Sequence, residues 1–443
     1  MDRRLVALLV CLSVVVAGCG TVGSSTEPSP VVDRSDDDRL GVESGVSADA
    51  SLDVTTSGGL DRWELAAVVD RTMARVELLR GLEFVESVDL RIVSRSEFRA
   101  DERFGGDGRA HRRLRAQVHE ATFLLGEADS VSDAYDRLYG DRVAGYYDAT
   151  ADEIVVVADA DQIDTRTLAH ELVHALQDQH FGARPTDSRD ARAAVTGLRE
   201  GDARYVDTLY AERCGTEWSC LQSPDDDTGT DYDRDLFAMV YQPYADGAQF
   251  VHELRQRGGW DAVDAAYADP PTTTEQTIHP DSYPDETAVS VTVTDRSSGE
   301  WQPVPGAENE TLGELGAYVT LLASGAVDTA THDSSDGPYS PRNYSHPATT
   351  GWAGDTFVPY TDDNDRAGYV WKLRWDSPAD ARAFAAAYRE GLGALGARAV
   401  GDGVYVVPGG GFADAFRVER DGDTVVVTNA PTVSDLDQIR TPE

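Results

Sequence analysis

The chain has 443 residues, of which 41% are hydrophobic and 27% charged, and its 79 acidic against 39 basic residues give a formal net charge of −40. This composition can bury a core, so it excludes collagen, coiled coil and disorder along the whole length. The strongly negative field also excludes broad nucleic-acid binding, which needs positive charge to meet phosphate. The length predicts two domains and a tail.

The kind of basic residue is more informative than the total. Lys372 is the only lysine among the 39 basic residues. An acidic surface of this kind repels itself, and molar salt removes the repulsion because it shrinks the Debye length to about 3 Å. The composition is therefore typical of halophilic, haloarchaeal proteins, although an acidic protein from an ordinary environment is the alternative.

The amino terminus is typical of an export signal. A charged start precedes an apolar run over Leu5–Val16 that is too short to span a bilayer as a mature helix. Val16-Ala17-Gly18 then precedes Cys19, an order that resembles a lipobox, in which the cysteine thiol takes a lipid. We expect residues 1–18 to be a lipoprotein signal peptide and Cys19 to anchor the exported protein to the membrane, facing outside. An ordinary signal peptide with a chance cysteine is the alternative.

Composition and periodicity divide the next part of the chain. Residues 19–58 lack aromatic residues and are rich in Ser, Thr, Asp and Gly, which predicts a disordered acidic tether. Residues 59–327 are predicted to form one domain, with a β-hairpin over 145–157 and an acidic loop over 223–234. Its other predicted elements are a strand over Val88–Val93 and helices over 60–82, 111–125, 165–181, 190–212, 236–257, 260–267 and 311–324.

The carboxyl-terminal part follows a different pattern. A polar stretch over 328–345 predicts a linker to a small domain over 346–443. There we expect a strand over Tyr369–Trp375, a helix over Ala379–Leu392 and further strands near 403–407 and 424–428. The predicted fold class is α+β, a mainly helical core with a small edge β-sheet followed by a small α+β domain. Core tryptophans are expected in that domain at Trp352, Trp371 and Trp375.

Cys214 and Cys220 remain once Cys11 and Cys19 are assigned to the signal and the lipid. Outside a cell, a pair this close predicts a local disulfide. A metal site is the alternative, but no second cysteine pair exists to complete four thiolates. Asn309 and Asn343 each begin an acceptor motif for N-glycosylation, which suits a surface protein.

The chemistry is concentrated in His170-Glu171-Leu172-Val173-His174. Asp164 can cap a helix that begins at Thr165, and Gly182 can end it. Histidines at positions i and i+4 leave the same face of a helix, so both imidazoles can share one zinc ion. Glu171 lies about 100° round the helix axis, where a general base must be to deprotonate a zinc-bound water.

A catalytic zinc ion needs a third protein ligand and an open position. We predict Glu200, which lies on the next helix, where Gly197 and Gly201 would allow a close approach. His180 is the alternative ligand, although it lies further along the helix of His174 and should face elsewhere.

Three segments carry a resemblance to a known family. They read Thr-Leu-Ala-His-Glu-Leu-Val-His-Ala-Leu-Gln-Asp-Gln-His-Phe (167–181), Leu-Arg-Glu-Gly-Asp-Ala (198–203) and Pro-Thr-Thr-Thr-Glu-Gln-Thr-Ile-His-Pro (271–280). The chain resembles gluzincin-type zinc metallopeptidases whose haloarchaeal members are surface lipoproteins. The resemblance covers about 60–443. It implies a gluzincin-like core, zinc on His170, His174 and Glu200, and Glu171 as the base.

One position departs from that family. Many gluzincins carry an aspartate four residues after the glutamate ligand, where it braces a zinc-bound histidine, and this chain has Arg204 there. Asp178, Asp202 and Asp207 are the candidates to replace it.

Three further candidates each have a structural alternative. His279 would stabilise the oxyanion, or it caps a turn before Pro280. Tyr146 and Tyr147 would line a substrate cleft on an edge strand, or they are core aromatics.

The motifs together predict a membrane-anchored extracellular zinc peptidase that acts on peptide or protein substrates, with Zn²⁺ as its cofactor. The alternative is a surface binding or structural lipoprotein that keeps the metallopeptidase fold without turnover. An intact His-Glu-x-x-His motif favours the enzyme.

We expect the protein to lose its structure reversibly as monovalent salt is dialysed away. Repulsion between carboxylates is weak at about 1 M salt and strong at about 0.01 M, where the Debye length is about 30 Å. The unfolded chain spreads the same charge over a larger volume, so dilution favours it. Circular dichroism at falling salt measures the change. An unchanged spectrum and melting temperature would count against a salt-adapted surface.

Overall fold

The computed structural model describes residues 39–54, 60–100, 108–140, 143–157, 163–222, 232–335 and 337–441. The predicted signal peptide, Cys19 and most of the acidic loop over 223–234 lie outside the described residues. Within those ranges, no helix is both long enough and apolar enough to cross a membrane. The fold is mixed α+β, as the sequence predicts.

Helices make up most of the described secondary structure. They are α1 (Arg62–Arg80), α2 (Arg95–Ala100), α3 (Arg109–Ala121), α4 (Val131–Gly140), α5 (Thr165–Phe181), α6 (Arg189–Arg213), α7 (Arg234–Ala268), α8 (Thr274–Ile278), α9 (Gly313–Ala323), α10 (Thr329–His332), α11 (Pro378–Ala394) and α12 (Val433–Ile439). The helices predicted at 165–181 and 190–212 are confirmed as α5 and α6. Those predicted at 236–257 and 260–267 are the two halves of α7, which kinks at Gly258 and Gly259.

The strands of the described residues form three sheets. They are β1 (Val42–Glu43), β2 (Val46–Ser47), β3 (Asp89–Val93), β4 (Gly145–Asp148), β5 (Glu153–Val157), β6 (Gln302–Pro303), β7 (Trp352–Thr361), β8 (Ala367–Trp375), β9 (Arg398–Gly401), β10 (Val404–Val406), β11 (Ala415–Asp421) and β12 (Thr424–Ala430). The sheets are the pair β1-β2, a three-stranded sheet in the order β3-β5-β4, and a seven-stranded sheet in the order β6-β7-β8-β12-β11-β10-β9.

The three-stranded sheet contains the hairpin predicted over 145–157. Gly145 pairs with Val156 and Asp148 with Glu153, so β4 runs antiparallel to β5. β3 runs parallel to β5 on its other side, which leaves β4 at an edge of the sheet. β4 also contacts α5, so this edge lies beside the helix that carries the His-Glu-x-x-His motif.

The disordered tether predicted over 19–58 does not extend through 39–54. There β1 and β2 pair as a hairpin against α1. Arg75 donates from Nε to the Ala48 carbonyl at 2.8 Å, and Glu77 accepts a backbone N–H of the same segment at 2.8 Å. Charged side chains of α1 hold a segment that has little apolar surface of its own, so its composition could not reveal the packing.

The seven-stranded sheet is antiparallel and packs against helices on both faces. On the face covered by α11, Trp352, Trp371 and Trp375 are buried, as predicted. The ring of Trp375 lies 4.9 Å from that of Phe384 on α11, measured between centroids. On the other face, Trp301 joins residues of α12 in a separate apolar cluster. The domain therefore has a core on each side of its sheet.

The linker predicted over 328–345 is packed in the structure. It contains α10, and Tyr344 is fully buried with its hydroxyl donating to the Ala238 carbonyl of α7 at 2.7 Å. The sheet itself begins before this segment, at β6. The buried Tyr344 thus anchors the segment 328–345, whose composition is otherwise mostly polar.

Cys214 and Cys220 form the predicted disulfide just after α6, with Cα atoms 5.6 Å apart. Asn309 is exposed. Asn343 is partly buried, and its Oδ1 accepts the Ser345 N–H at 2.8 Å. Of the two glycosylation candidates, Asn309 therefore presents the more open side chain.

Helices α6 and α7 touch backbone to backbone. A Cβ atom added at Gly201 would collide with the backbone of Gly247, and one added at Gly247 would collide with the Gly197 carbonyl. Gly201 therefore makes a close approach, as predicted, but the partner is α7, and a Cβ atom at Gly197 would instead meet the Thr277 side chain at 3.3 Å. The approach holds the middle of α6, which carries Glu200, between α7 and α5.

Gly201→Ala should destabilise the protein by about 1–3 kcal/mol, because its methyl group must push two helix backbones apart. Gly393→Ala on α11 is the matched control. Its Cβ atom would meet nothing within 4 Å, so it should leave the protein as stable as before or more stable, by up to about 1 kcal/mol. Urea unfolding in molar salt measures both. Equal free energies of unfolding would contradict the contact.

Candidate metal centre

Helix α5 begins and ends as its sequence predicts. Asp164 Oδ1 accepts the N–H groups of Arg166 and Thr167 at 2.8 and 3.0 Å, and Gly182 ends the helix with a φ of 66°. The apolar side chains around the motif are fully buried; they are Leu168, Leu172, Val173 and Leu176. The motif is therefore carried by a helix that packing holds on several sides.

His170 and His174 lie side by side on α5, with ring centroids 4.9 Å apart. Glu200 Oε2 on α6 lies 3.3 Å from Nε2 of each imidazole. All three side chains are buried. In the described part of the chain, no other group of three or more His, Cys, Asp or Glu residues brings its ligand atoms within 4.8 Å of one another.

These three atoms fit a zinc ion. Tetrahedral zinc with bonds of about 2.0–2.1 Å places neighbouring ligand atoms about 3.3 Å apart. Glu200 Oε2 keeps that spacing, 3.3 Å, to both imidazoles. Two imidazoles and one carboxylate leave a fourth position for water or substrate. Other divalent first-row metals accept the same donors, so the three residues could hold zinc or another such metal ion.

Asp207 holds His170 in place. Its Oδ2 lies 3.0 Å from Nδ1 of His170, and its Oδ1 accepts two bonds from Arg166 at 2.8 and 2.9 Å. Burial favours the neutral acid, but Arg204 and Arg166 outweigh it and hold the pKa of Asp207 well below its usual range. The ionised carboxylate therefore accepts the Nδ1 proton, so Nε2 is the ring nitrogen that would bind a metal.

Gln177 does the same for His174. Its Oε1 lies 3.0 Å from Nδ1 of His174, and its Nε2 donates to the Arg199 carbonyl at 2.8 Å. The second bond fixes the amide, so Oε1 is the acceptor and Nε2 of His174 is left for a metal. Gln177 was not among the site residues predicted from the sequence. Its position three residues after His174 could have indicated it, because side chains at i and i+3 on a helix are neighbours.

Of the three aspartates proposed as the brace, only Asp207 contacts a motif histidine among the described residues. Asp202 accepts from Arg80 Nε at 2.9 Å. Asp178 lies 3.4 Å from the Tyr147 hydroxyl. The brace therefore sits further along α6 than the family pattern places it.

Glu171 is fully buried beside the first residue of β4. A Cβ atom added at Gly145 would come within 3.3 Å of Glu171 Cγ, which is tighter than an ordinary contact. The backbone of the edge strand therefore passes directly against this side chain. Sequence pattern could not indicate the role of Gly145, because the contact joins two elements that are distant along the chain.

Tyr146 and Tyr147 are core residues, the second of the two alternatives predicted for them. They are 8% and 4% exposed. The ring of Tyr146 packs on that of Phe98 with centroids 6.3 Å apart, and the Tyr147 hydroxyl donates to Asp152 Oδ1 at 2.7 Å. Both rings therefore pack inside the core.

His279 follows α8 and forms its carboxyl-terminal cap before Pro280. Its Nε2 lies 3.1 Å from Glu314 Oε1. Burial disfavours the charged imidazole, but Glu314 and Glu275 outweigh it and raise the pKa of His279 to about 9. His279 is therefore protonated at neutral pH. Among the described residues, no hydrogen bond or ion pair joins it to the metal ligands.

The alternative ligand His180 lies outside the group. It is exposed, and its Nε2 is 2.8 Å from the Glu83 carbonyl. Tyr244, a residue that the sequence did not indicate, lies against the site. Its ring on α7 stacks on His170 with centroids 6.5 Å apart and planes 19° from parallel. Three helices, α5, α6 and α7, therefore surround the site.

The carboxyl-terminal part of the chain is similar to a described family. A family model for a domain of unknown function, DUF8575, matches residues 302–440. No curated protein and no solved structure matches the chain significantly. The matched segment begins with β6 and contains the seven-stranded sheet, whereas the metal-centre residues on α5 and α6 precede it.

Asp207→Asn should lower the affinity of the full chain for zinc by about 10–100-fold, because His170 loses the charged acceptor that orients it. Asp178→Asn is the matched control, since that carboxylate lies near Tyr147. Zinc content after dialysis against graded chelator concentrations compares the variants. His174→Ala, which removes a ligand, should lose most of the metal. Stoichiometric zinc in that variant would refute the ligand assignment.

Proposed function

We propose that this protein is a zinc-dependent peptidase of the gluzincin type. The observation that supports it most is the position of Glu200 Oε2, 3.3 Å from Nε2 of both His170 and His174. With Glu171 beside them in the motif, these residues are the donor set and the base of a hydrolytic zinc site.

Each side chain has a role in peptide hydrolysis under this proposal. Zinc, when bound, would polarise the scissile carbonyl and lower the pKa of a water molecule. Glu171 would take a proton from that water and pass it to the leaving amine. Asp207 and Gln177 would keep the imidazoles in the tautomer that presents Nε2 to the metal.

His279 is the candidate to stabilise the developing oxyanion. Its pair with Glu314, at 3.1 Å, supports a protonated ring, and charged donors form stronger hydrogen bonds than neutral ones. Tyr244, whose ring stacks on His170, is the second candidate. Either residue would act on the substrate and leave zinc binding unchanged.

The edge strand supports peptides as the substrate class. β4 lies at the edge of its sheet, and Gly145 packs against Glu171. An extended peptide that adds to a sheet edge through main-chain hydrogen bonds would pass close to that carboxylate. This combination of an edge strand with two ligand-bearing helices also supports assigning a gluzincin-like core to 59–327.

We further propose that the protein is an exported halophilic lipoprotein, held at the outer face of the membrane by a lipid on Cys19. The disulfide between Cys214 and Cys220 supports an oxidising location. The excess of acidic residues and the single lysine support a salt-rich one. Peptides or proteins outside the cell would then be the substrates.

The burial of the site favours a second function. His170, Glu171, His174 and Glu200 are 3%, 0%, 1% and 1% exposed. Structural zinc sites are closed, whereas catalytic sites keep a position open to water. The second candidate is therefore a surface binding or structural lipoprotein that keeps the metal centre without turnover.

Glu171→Gln separates the two functions. If Glu171 is the base and no ligand, the variant keeps its zinc and its fold, and peptide hydrolysis falls by about 10²–10⁴-fold. Glu212→Gln, an exposed change on α6, is the matched control and should retain the parent rate. The measurements are zinc content, circular dichroism and digestion of a broad peptide library, all in molar KCl.

Two results would count against the peptidase. Glu171→Gln digesting the library as fast as the parent would move the base elsewhere. A zinc-loaded parent that cleaves nothing in the library would favour the non-catalytic lipoprotein.

A further inference from the structure

A cavity of about 200 Å³ lies between α3, the loop that follows it and β8, and it shares no lining residue with the metal centre. Its charged lining is mostly acidic: Glu120, Glu127, Asp129 and Asp365 against one guanidinium, Arg113. Arg113 Nη1 bonds to Asp365 at 3.0 Å. The other carboxylates therefore have no cation among the residues that line the cavity.

The cavity lies at a junction between two parts of the chain. The Glu127 N–H donates to the Gly411 carbonyl at 3.1 Å, and a Cβ atom at Gly126 would come within 2.8 Å of the Gly411 backbone. Gly411 belongs to the segment similar to DUF8575, and Glu127 precedes that segment. A ligand in the cavity would therefore contact both parts.

Two buried carboxyl groups meet at the inner wall. Glu120, which lines the cavity, hydrogen-bonds to Asp414, and the two residues are 7% and 6% exposed. Burial and the neighbouring charge of Asp414 raise the pKa of Glu120 well above its usual range. Asn429 Nδ2 donates to Asp414 Oδ2 at 2.9 Å and fixes that partner. The pair thus shares a proton at neutral pH, which a metal cation could replace.

Gln117 adds an unsatisfied oxygen to the same wall. Its side chain is 2% exposed, and its Nε2 donates to the Tyr360 carbonyl at 2.8 Å. Its Oε1 is buried and has no hydrogen-bond partner among the described residues. A buried acceptor left without a donor destabilises the fold, so a ligand that meets it would relieve that cost.

We propose that this cavity binds a calcium ion. The donors are oxygens: the carboxylates of Glu120 and Glu127 and Oε1 of Gln117, with water completing the shell. Calcium takes 6–8 oxygen ligands in flexible geometry, whereas magnesium demands a near-ideal octahedron and zinc is held mainly by nitrogen and sulfur. Glu127 is exposed, so its side chain is free to turn inward when the ion enters.

A calcium ion at this position would tie the loop after α3 to the carboxyl-terminal domain. It would bind the folded chain only, so it would raise the stability by mass action. Molar monovalent salt screens exposed charges but screens a buried, multidentate site much less. Specific binding should therefore persist at the salt concentrations that keep the protein folded.

Calorimetric titration of CaCl₂ into the zinc-loaded full chain, in molar KCl, tests the site. We expect one calcium ion per chain, and a melting temperature that rises with calcium. Glu120→Gln removes a negative charge and Gln117→Leu removes an oxygen ligand, so each should weaken binding by about tenfold or more. Glu300→Gln on an exposed turn is the matched control and should bind as the parent does.

Several results would overturn the proposal. The parent failing to bind calcium is one, and equal affinity in the parent and both cavity variants is another. If calcium raised the melting temperature equally in the parent and in every variant, it would be acting by screening surface charge and not by binding in the cavity. Tighter binding of MgCl₂ than of CaCl₂ would refute the choice of ion. Gln117→Leu removes no charge, so it keeps the test decisive if Glu120→Gln fails to fold, and none of these results depends on peptidase activity.

Discussion

The position of Glu200 depends on two helix backbones that touch. Gly201 follows Glu200 on α6 and has no Cβ atom to hold α7 away, and the Gly197 carbonyl lies where a Cβ atom of Gly247 would be. The distance between α6 and α7 determines how far the Glu200 carboxylate reaches toward α5, which lies on the opposite side of α6. There Glu200 Oε2 lies 3.3 Å from Nε2 of both imidazoles. A displacement of about 1 Å would change both of these distances, so the position of Glu200 depends on the close contact between the two helices.

Near the contact between α6 and α7, buried arginines hold elements of the fold together, a role that apolar side chains have in most cores. Arg80 is 1% exposed, bonds to Asp202 and Asp264 at 2.9 and 2.6 Å, and lies over the ring of Trp260. Buried ion pairs add little net stability. They restrict the relative positions of the elements that carry them, because a displaced partner leaves a buried charge unpaired. The planar guanidinium suits this use better than an ammonium group. In a chain with one lysine, arginine serves both the surface and the core.

Local pattern was enough to predict α5, α6 and the hairpin over 145–157, since caps, periodicity and turn residues lie within each element. The pairing of His170 with His174 followed for the same reason. The bracing role of Asp207 did not, because three aspartates were plausible and only tertiary packing distinguishes them. The packed state of 39–54 was missed because its partners, such as Arg75, lie on another element.

The two braces differ in charge, and the difference bears on what the metal centre can do. Asp207 is anionic, but Arg166 and Arg204 lie against it and balance its charge. Gln177 is neutral. Of the three candidate ligands, Glu200 is then the one that brings negative charge without a counter-ion, so the ligands alone would leave a divalent cation with a net positive charge. Under the proposed function, that charge would lower the pKa of a coordinated water, which is what hydrolysis requires.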